Sequence, residues 1–461
     1  MNKQSFAFRQ IINSSAVGLS DALMLYLSIY VGDVVLYFLH DIPIKQEPAL
    51  LLIPAWLLLA YLVRLLPGWG WSVPEILRRL VISLSGLFVV VILAQFLTDM
   101  QRSRITLVSG YFCALVLVPL GRVVIKSWLI KRKLWGAPAV IYGGQECVVK
   151  LNQILKTEKA LGYVPVAAFS DDPINPAECS LPVRGGLHDK CNESPVAIVS
   201  LKGGSRGTMV QLLEELLAHY RIVVFVPDLF DAPSMWVKPR DLQGTLGLEV
   251  AHNLLDPVPR LIKRAFELVL VLGSAVFWAP LIGVLALMVW LSDRGNPFFL
   301  QERIGRRGKP FKTYKLRTMV PNAEQVLQEA LEKDPELKAE WDATCKLKKD
   351  PRITWVGNFL RVTSLDELPQ LINVLKGDMA IVGPRPLPRY HYDQLPEYVQ
   401  RLRERVLPGI TGMWQVSGRS DSGNEGFEKW DSYYVRNWSI WLDAYIIFRT
   451  VSVVLMREGA Y

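Results

Sequence analysis

Asp366 and Glu367 stand side by side in the stretch Thr363–Leu375, TSLDELPQLINVL, just ahead of a short apolar run. Pro369 suits the first position of a helix, where its missing N–H costs nothing, and it pushes Leu368 away from the α region. The spacing therefore predicts that the carboxylates lie in extended chain at a helix N-terminus, a place that favours phosphate and metal. A structural alternative fits the same letters: Ser364-x-x-Glu367 is a capping box, with Glu367 tying off orphan amides. That helix would carry Pro369 at its fifth position, against the carbonyl of Leu365. The stretch by itself leaves both readings open.

Cations collect around the pair. Lys315 and Arg317 stand in YKLRTM, Arg352 in DPRIT, Arg361 just before the acids, and Arg385 in VGPRP. Arginine presents a planar fork that matches phosphate oxygens two at a time. Pro384 and Pro386 fix the backbone on either side of Arg385, so that side chain is aimed at low entropic cost. Any one of these cations is more often a surface charge than a ligand. Gathered in one basic segment with an acid pair, they suggest a diphosphate site holding Mg²⁺, a hard cation that accepts a carboxylate together with phosphate oxygens.

The rest of the chain must carry this site to its substrate. About half of the 461 residues are hydrophobic, too many for an ordinary soluble protein, so membrane segments are expected. A net charge of +9 suits anionic lipid or phosphates. No nucleic-acid-binding motif is present, and basic residues beside apolar segments favour the membrane as partner. Cys113, Cys147, Cys179, Cys191 and Cys345 show no CxxC spacing and, with scattered histidines, offer no zinc site; reduced thiols in a cytosolic setting are expected. The first apolar run is long and lacks a small-residue cleavage pattern, so no cleavable signal is expected.

Apolar runs at about Ala16–Leu39, Ala49–Leu66, Leu80–Thr98 and Ile105–Leu120 each approach or exceed the ~20 residues that cross a bilayer core. Lys3 and Arg9 precede the first, Arg78 and Arg79 the third, and Arg122, Lys126, Lys131, Arg132 and Lys133 follow the fourth, which puts both ends of the bundle in the cytoplasm. Ala137–Val250 turns to strand and helix in alternation, predicting a small parallel sheet. Gly143, Gly144 and Asp171 sit near the places a dinucleotide fingerprint would use, but Gln145, Glu146 and Cys147 break the GxGxxG pattern, which favours a structural or regulatory domain.

Leu261–Trp290 is long enough to span. Yet Pro280 bends it, and basic residues flank both sides: Arg260, Lys263 and Arg264 before, Arg294, Arg303, Arg306 and Arg307 after. A helix that enters, breaks at Ala279-Pro280 and returns satisfies both facts. Beyond it, PFFLQERIGRRGKPFKTYKLRTM predicts a hairpin turning at Gly305–Gly308, and Asn322–Ala343 an acidic solvated helix. Trp430–Met456 reads as an interfacial amphipathic helix rather than a further crossing.

RVTSLDELPQLINVLKGDMAIVGPRP, followed by LPGITGMWQVSGR, resembles the catalytic core of the bacterial polyprenyl-phosphate glycosyl-1-phosphate transferases, the monotopic phosphoglycosyl transferases. Several separate blocks agree between about Pro259 and Tyr461. The preceding bundle and α/β domain look like the large members of that family. Asp350–Gly377 and the closing REGAY look most like the undecaprenyl-phosphate galactose phosphotransferases (WbaP type) that begin O-antigen synthesis, although large glucose-specific relatives share the architecture.

The resemblance implies a membrane protein of α plus α/β class. A four-helix transmembrane bundle (1–135) precedes a Rossmann-like cytoplasmic domain (136–255) and an α/β catalytic domain (256–461) with a re-entrant helix (261–291). It implies an inner-membrane enzyme with its active site on the cytoplasmic face, working with a UDP-sugar, undecaprenyl phosphate and Mg²⁺, as a homodimer. The family's acid pair falls on Asp366 and Glu367. Asp366 would attack the β-phosphorus and release UMP, undecaprenyl phosphate would take the sugar phosphate, and Glu367 would help Asp366 hold Mg²⁺. Lys315, Arg317, Arg361 and Arg385 would grip phosphates or nucleotide, with Gln370, Arg419 and Asp443 as weaker assignments; for Asp443 a buried polar helix position is the plain alternative. Relatives commonly carry Ser-Pro at the helix break, so Ala279-Pro280 implies a kink held by Pro280 alone. Two other function classes remain at this point: a membrane-tethered NAD-dependent enzyme modifying sugar nucleotides, which lacks its Tyr-x-x-x-Lys pair, and a non-catalytic regulator of polysaccharide assembly.

Overall fold

The computed structural model describes residues 3–40, 49–98, 104–200, 206–226, 237–241, 246–250, 257–334, 337–338, 341, 347, 350–417 and 423–456. It divides into two compact units, Met1–Asp231 and Ala232–Tyr461.

The first unit opens with four apolar helices: α1 (Lys3–His40), α2 (Ala49–Leu62), α3 (Val73–Thr98) and α4 (Arg104–Lys131). α1, α3 and α4 contain stretches long and apolar enough to cross a membrane. α2, expected to run to Leu66, has 14 residues, or ~21 Å, short of a bilayer core. It ends early because Arg64 turns left-handed at φ 56. Trp56, Leu65, Leu80 and Val118 close the bundle core. Asp21, fully buried, accepts from Trp56 Nε1 at 3.0 Å and from Arg122 Nε at 2.8 Å, so a charge inside the bundle is paired rather than left bare.

α1 is 38 residues long, and its N-terminal turns reach past the bundle. Asn13 Nδ2 donates to Leu134 O at 3.0 Å, and Asn13 Oδ1 accepts from Gly136 N at 3.1 Å, tying the helix to the chain that enters the sheet. The sheet is parallel in the order β2-β1-β3-β4, with β1 Ala137–Gly143, β2 Tyr163–Phe169, β3 Val196–Ser200 and β4 Ile222–Phe225. α5 (Gln145–Thr157) packs on one face through Val148, Leu151 and Leu155, and α6 (Arg206–His219) on the other through Leu212 and Leu216. Buried on both sides, β1 reads as a continuous apolar run.

In the second unit β5 (Val237–Asp241) pairs antiparallel with β6 (Leu246–Val250) ahead of α7 (Pro257–Gly273) and α8 (Ala275–Asp293). The break between these helices lies at Ser274, not at Ala279-Pro280. Gly273 and Ser274 supply the weak point. Trp278 Nε1 donates to Val271 O at 2.9 Å, and Ser274 Oγ adds a bond at 2.6 Å to Leu270 O, which Ser274 N already reaches at 3.0 Å, while Pro280 sits inside the second turn of α8.

β7 (Phe298–Ile304) and β8 (Pro310–Leu316) form the expected hairpin, turning through Arg306–Gly308 with Arg307 at φ 59 and Gly308 at φ 68. α9 covers Ala323–Lys333, and the acidic helix expected is interrupted at Asp334, which precedes a proline and is driven to extended φ −129, ψ 104; residues 337, 338 and 341 are helical again. α10 (Trp355–Val362) and α11 (Gln370–Lys376) flank the acid pair. β9 (Ala380–Val382) then pairs in parallel with β10 (Gly409–Thr411). The segment expected as one interfacial helix is two. α15 runs Gly423–Asn437 and α16 Ile440–Met456, with Ser439 Oγ accepting from Leu442 N at 3.0 Å as the new helix begins. Tyr434, Val435, Trp438, Leu442 and Ile446 are buried in the core of the unit, so aromatic content that suggested an interface instead packs inside. The remaining short helices, α12 (Arg389–Tyr392), α13 (Glu397–Arg403) and α14 (Met413–Ser417), connect these pieces.

Candidate active site

The acid pair lies in a single 3₁₀ turn, Leu365–Glu367, that runs straight into α11. This corrects the extended chain expected. Leu368 adopts helical φ −55, ψ −36 despite the proline after it, since Leu368 N bonds Leu365 O at 3.2 Å and its own carbonyl receives Leu371 N at 3.1 Å. Ser364, left-handed at φ 56, starts the turn, and its side chain makes no capping bond. The capping box is not formed, and Glu367 is free to face elsewhere.

It faces β8 and the end of β9. Lys315 Nζ donates to Glu367 Oε1 at 2.7 Å, and Arg385 Nη2 donates to the same oxygen at 2.9 Å. Burial alone would raise the Glu367 pKa, but the charges of Arg385 and Lys315 more than reverse that and hold it far below the ordinary carboxylate range. Asp366 goes the other way. Burial, and then the charge of Glu367, push its pKa up against the pull of Lys315 and Arg361. Among the described residues no side chain donates a hydrogen bond to the Asp366 carboxyl. Two neighbouring carboxylates thus have opposite environments, one clamped and one open.

Each partner is placed by backbone packing. Asn373, fully buried on α11, accepts from Tyr314 N at 3.0 Å through Oδ1 and donates to Lys312 O at 2.8 Å through Nδ2. Its amide thereby acts as one more strand on the free edge of β8 and fixes Lys315 against the acid turn. Asn373→Ala leaves a buried donor and acceptor unpaired and should cost about 1–3 kcal/mol, read as a lower melting temperature of the detergent-solubilised chain. Arg385 follows β9, where Gly383 and Gly409 meet backbone to backbone; a Cβ on Gly409 would lie 2.1 Å from Gly383 N. Arg403, itself paired with the buried Asp431, donates to the Arg385 carbonyl and braces it. Arg361 reaches Thr318 Oγ1 at 2.9 Å, its helix pressed so closely on Thr318 that a Cβ on Gly357 would sit 2.0 Å from Thr318 O.

The cleft at this point is lined by Arg303, Thr313, Lys315, Glu367, Gln370, Arg385, Pro386 and Gly409. Three of the residues expected here are elsewhere. Arg317 pairs with Asp293 at the end of α8, at 2.5 Å, and Arg352 forks onto Asp350 at 2.8 and 2.6 Å. Asp443 accepts from Lys263 Nζ at 2.6 Å and Trp438 Nε1 at 3.1 Å and lies 2.8 Å from the Tyr434 hydroxyl, the buried structural position that was its plain alternative. Arg419 lies outside the described residues. Arg303, Thr313, Asn373 and the Arg403–Asp431 brace went unread in the sequence; LPQLIN held Asn373 in plain view, but nothing marked it as a strand mimic.

Residues 258–457 match the family described as bacterial sugar transferase. Over its full length the chain is 32% identical to all of the UDP-galactose-lipid carrier transferase of Erwinia amylovora. The chain belongs to the bacterial sugar transferase family. Among its members, the undecaprenyl-phosphate galactose phosphotransferase of Salmonella typhimurium is 35% identical over 88% of this chain and 85% of its own length. The UDP-glucose:undecaprenyl-phosphate glucose-1-phosphate transferase of Escherichia coli is 39% identical over 68% of this chain and 66% of its own. The likeness to the Erwinia and Salmonella proteins takes in the bundle and the parallel sheet as well as the sugar transferase segment, so the chain is a large, membrane-associated member of the family.

Proposed function

We propose that this enzyme moves a hexose 1-phosphate, galactose 1-phosphate first among the choices, from a UDP-sugar to undecaprenyl phosphate at the start of a surface polysaccharide. An Asp366 oxygen attacks the β-phosphorus, the bond from that phosphorus to the oxygen bridging to the α-phosphate breaks, and UMP leaves. A phosphate oxygen of the lipid then attacks the same phosphorus and frees the Asp366 carboxylate, giving the lipid-linked diphosphate sugar. The observation that carries this reading is the asymmetry of the pair. No described side chain bonds the Asp366 carboxyl, while Glu367 is committed to the two cations that would otherwise draw on it. Lys315, Arg385 and Arg361 spread the charge of the passing phosphoryl group.

The residues present fit a Mg²⁺ that arrives with its substrate. Glu367 uses Oε1 for both cations, which leaves Oε2, and Asp366 offers a carboxyl that no described side chain bonds. Among the described residues no group of three or more His, Cys, Asp or Glu is assembled to cage a metal, as expected where phosphate oxygens and water complete the shell. When bound, the ion would neutralise diphosphate charge, with Asp366 and Glu367 holding it.

Galactose is favoured over glucose by the names of the two relatives that resemble the chain over most of its length. A UMP-release assay with purified chain, undecaprenyl phosphate and a panel of UDP-sugars tests this: UDP-galactose should turn over fastest, and release with no UDP-sugar refutes the activity.

The way α7 and α8 are tied down supports a re-entrant arrangement. Lys263 reaches Asp443, and Glu267 accepts from Ile381 N at 3.0 Å, so α7 begins docked on the catalytic body. Leu285 and Val289 of α8 pack with Leu316 and Leu360 of that same body, and Asp293 pairs with Arg317. Between them Leu272, Val276, Phe277 and Val284 are exposed apolar side chains. A crossing would place its two ends on opposite faces of the bilayer; ends bound to one body support entry and return from the cytoplasmic face. Asn296→Cys and Asp378→Cys, each alone in a cysteine-free background, should both react with a membrane-permeant maleimide, and neither with an impermeant one added outside spheroplasts. Outside labelling of either contradicts re-entry.

A further inference from the structure

Arg303 has no task in the chemistry above, yet its guanidinium lines the cleft beside Lys315 and Arg385. It comes from β7, whose partner strand β8 supplies Lys315, so the hairpin presents two cations to one space. Its contacts are with neutral acceptors only: Nη1 donates to Pro386 O at 3.2 Å and Nη2 to Gln301 Oε1 at 2.6 Å. Among the described residues no carboxylate lies within ion-pair distance of it. Burial and the nearby Arg385 both work against its charge.

The charges lining the cleft do not balance. Arg303, Lys315 and Arg385 are positive, and Glu367, already shared by two of them, is the one negative lining residue. Holding a partly buried guanidinium without a counter-ion is unfavourable unless something anionic completes the site. The three cations outnumber that acid, and a guanidinium fork matches phosphate oxygens.

We propose that Arg303 is a substrate-binding residue for the phosphate that is not transferred, either the α-phosphate of the UDP-sugar, which leaves as UMP, or the phosphate of the lipid acceptor. Lys315 and Arg385 are tied to Glu367 beside the nucleophile and serve the phosphoryl group in flight; Arg303, unpaired, takes the anion that arrives or departs. The assignment rests on the transferase reading, and it deepens it by dividing the cations between the two phosphates.

The test uses the full chain in detergent or nanodiscs, comparing wild type with Arg303→Gln and Arg303→Lys. Steady-state UMP release is measured with each substrate varied in turn, together with inhibition by UMP and by inorganic phosphate. In Arg303→Gln, KM for one substrate should rise about tenfold or more, the loss expected for a charge-assisted hydrogen bond, and kcat should change less. A rise for the UDP-sugar with weaker UMP inhibition assigns the nucleotide phosphate. A rise for the lipid with unchanged UMP inhibition assigns the acceptor. Arg303→Lys should recover part of the affinity. Unchanged KM values for both substrates overturn the proposal. So does a fall in kcat alone accompanied by a lower melting temperature, since that is what support of Pro386 would give. Failure of wild type to release UMP would instead refute the transferase reading itself.

Discussion

Asp366→Asn should lose activity by at least about 10⁴-fold, with UMP release from the UDP-sugar abolished even before lipid is added. The amide keeps the size and shape of the side chain but offers no anionic oxygen to phosphorus. No side chain among the described residues bonds this carboxyl, so the substitution breaks no side-chain hydrogen bond, and melting temperature should stay within about 1 °C of wild type. Since burial and the Glu367 charge raise the Asp366 pKa, removing the Asp366 charge should leave the variant no less stable at neutral pH. Loss of activity with full stability separates a nucleophile from a structural acid. A variant that keeps more than a tenth of wild-type turnover would contradict the assignment.

Glu367→Gln should cost about 10²–10³-fold in turnover and should also destabilise the chain, which distinguishes it from Asp366→Asn. Lys315 and Arg385 lose their shared counter-ion in a cleft where both are largely shielded, at 17% and 33% side-chain exposure. The cost should reach up to about 3 kcal/mol, below that of a fully buried pair because water reaches the arginine. The sign with pH follows from the depressed Glu367 pKa. The pair's contribution is fully present above the ordinary glutamate value of 4.5 and is lost as pH falls below it. Melting curves of wild type and variant should therefore differ at pH 7 and converge in acid. A gap that is constant with pH would mean that Glu367 does not act through its charge.

Much of the site was legible because its chemistry is carried by rare residue types in fixed blocks. The acid pair, Lys315 and the proline-framed Arg385 meet where the sequence suggested, and the parallel sheet and β7–β8 hairpin follow from alternation and glycine turns. What could not be read were choices among equivalent charges. Arg317 and Arg352 carry the same fork as Arg385 but are claimed by Asp293 and by Asp350, two residues before Arg352, so local partners removed them from the cleft. The helix break moved to Ser274 because a Gly-Ser pair with hydroxyl and indole donors nearby yields more easily than a proline in the second turn, where few backbone bonds are lost. The C-terminal aromatics looked interfacial because periodicity reports a face and not what covers it; Trp438 and Tyr434 are covered by β9 and α7 side chains, Lys263 among them.

The claim on which the rest depends is that a sugar phosphate rests on Asp366 between two half-reactions. Purified chain should be incubated with Mg²⁺ and UDP-galactose, labelled in the β-phosphate, with undecaprenyl phosphate withheld, then quenched and analysed as intact protein and as peptides. The expected result is a mass increase of one hexose phosphate, confined to the peptide containing Asp366, matched by one equivalent of UMP, and discharged when lipid is supplied. Wild-type turnover with no adduct, or an adduct on any other residue, would contradict it.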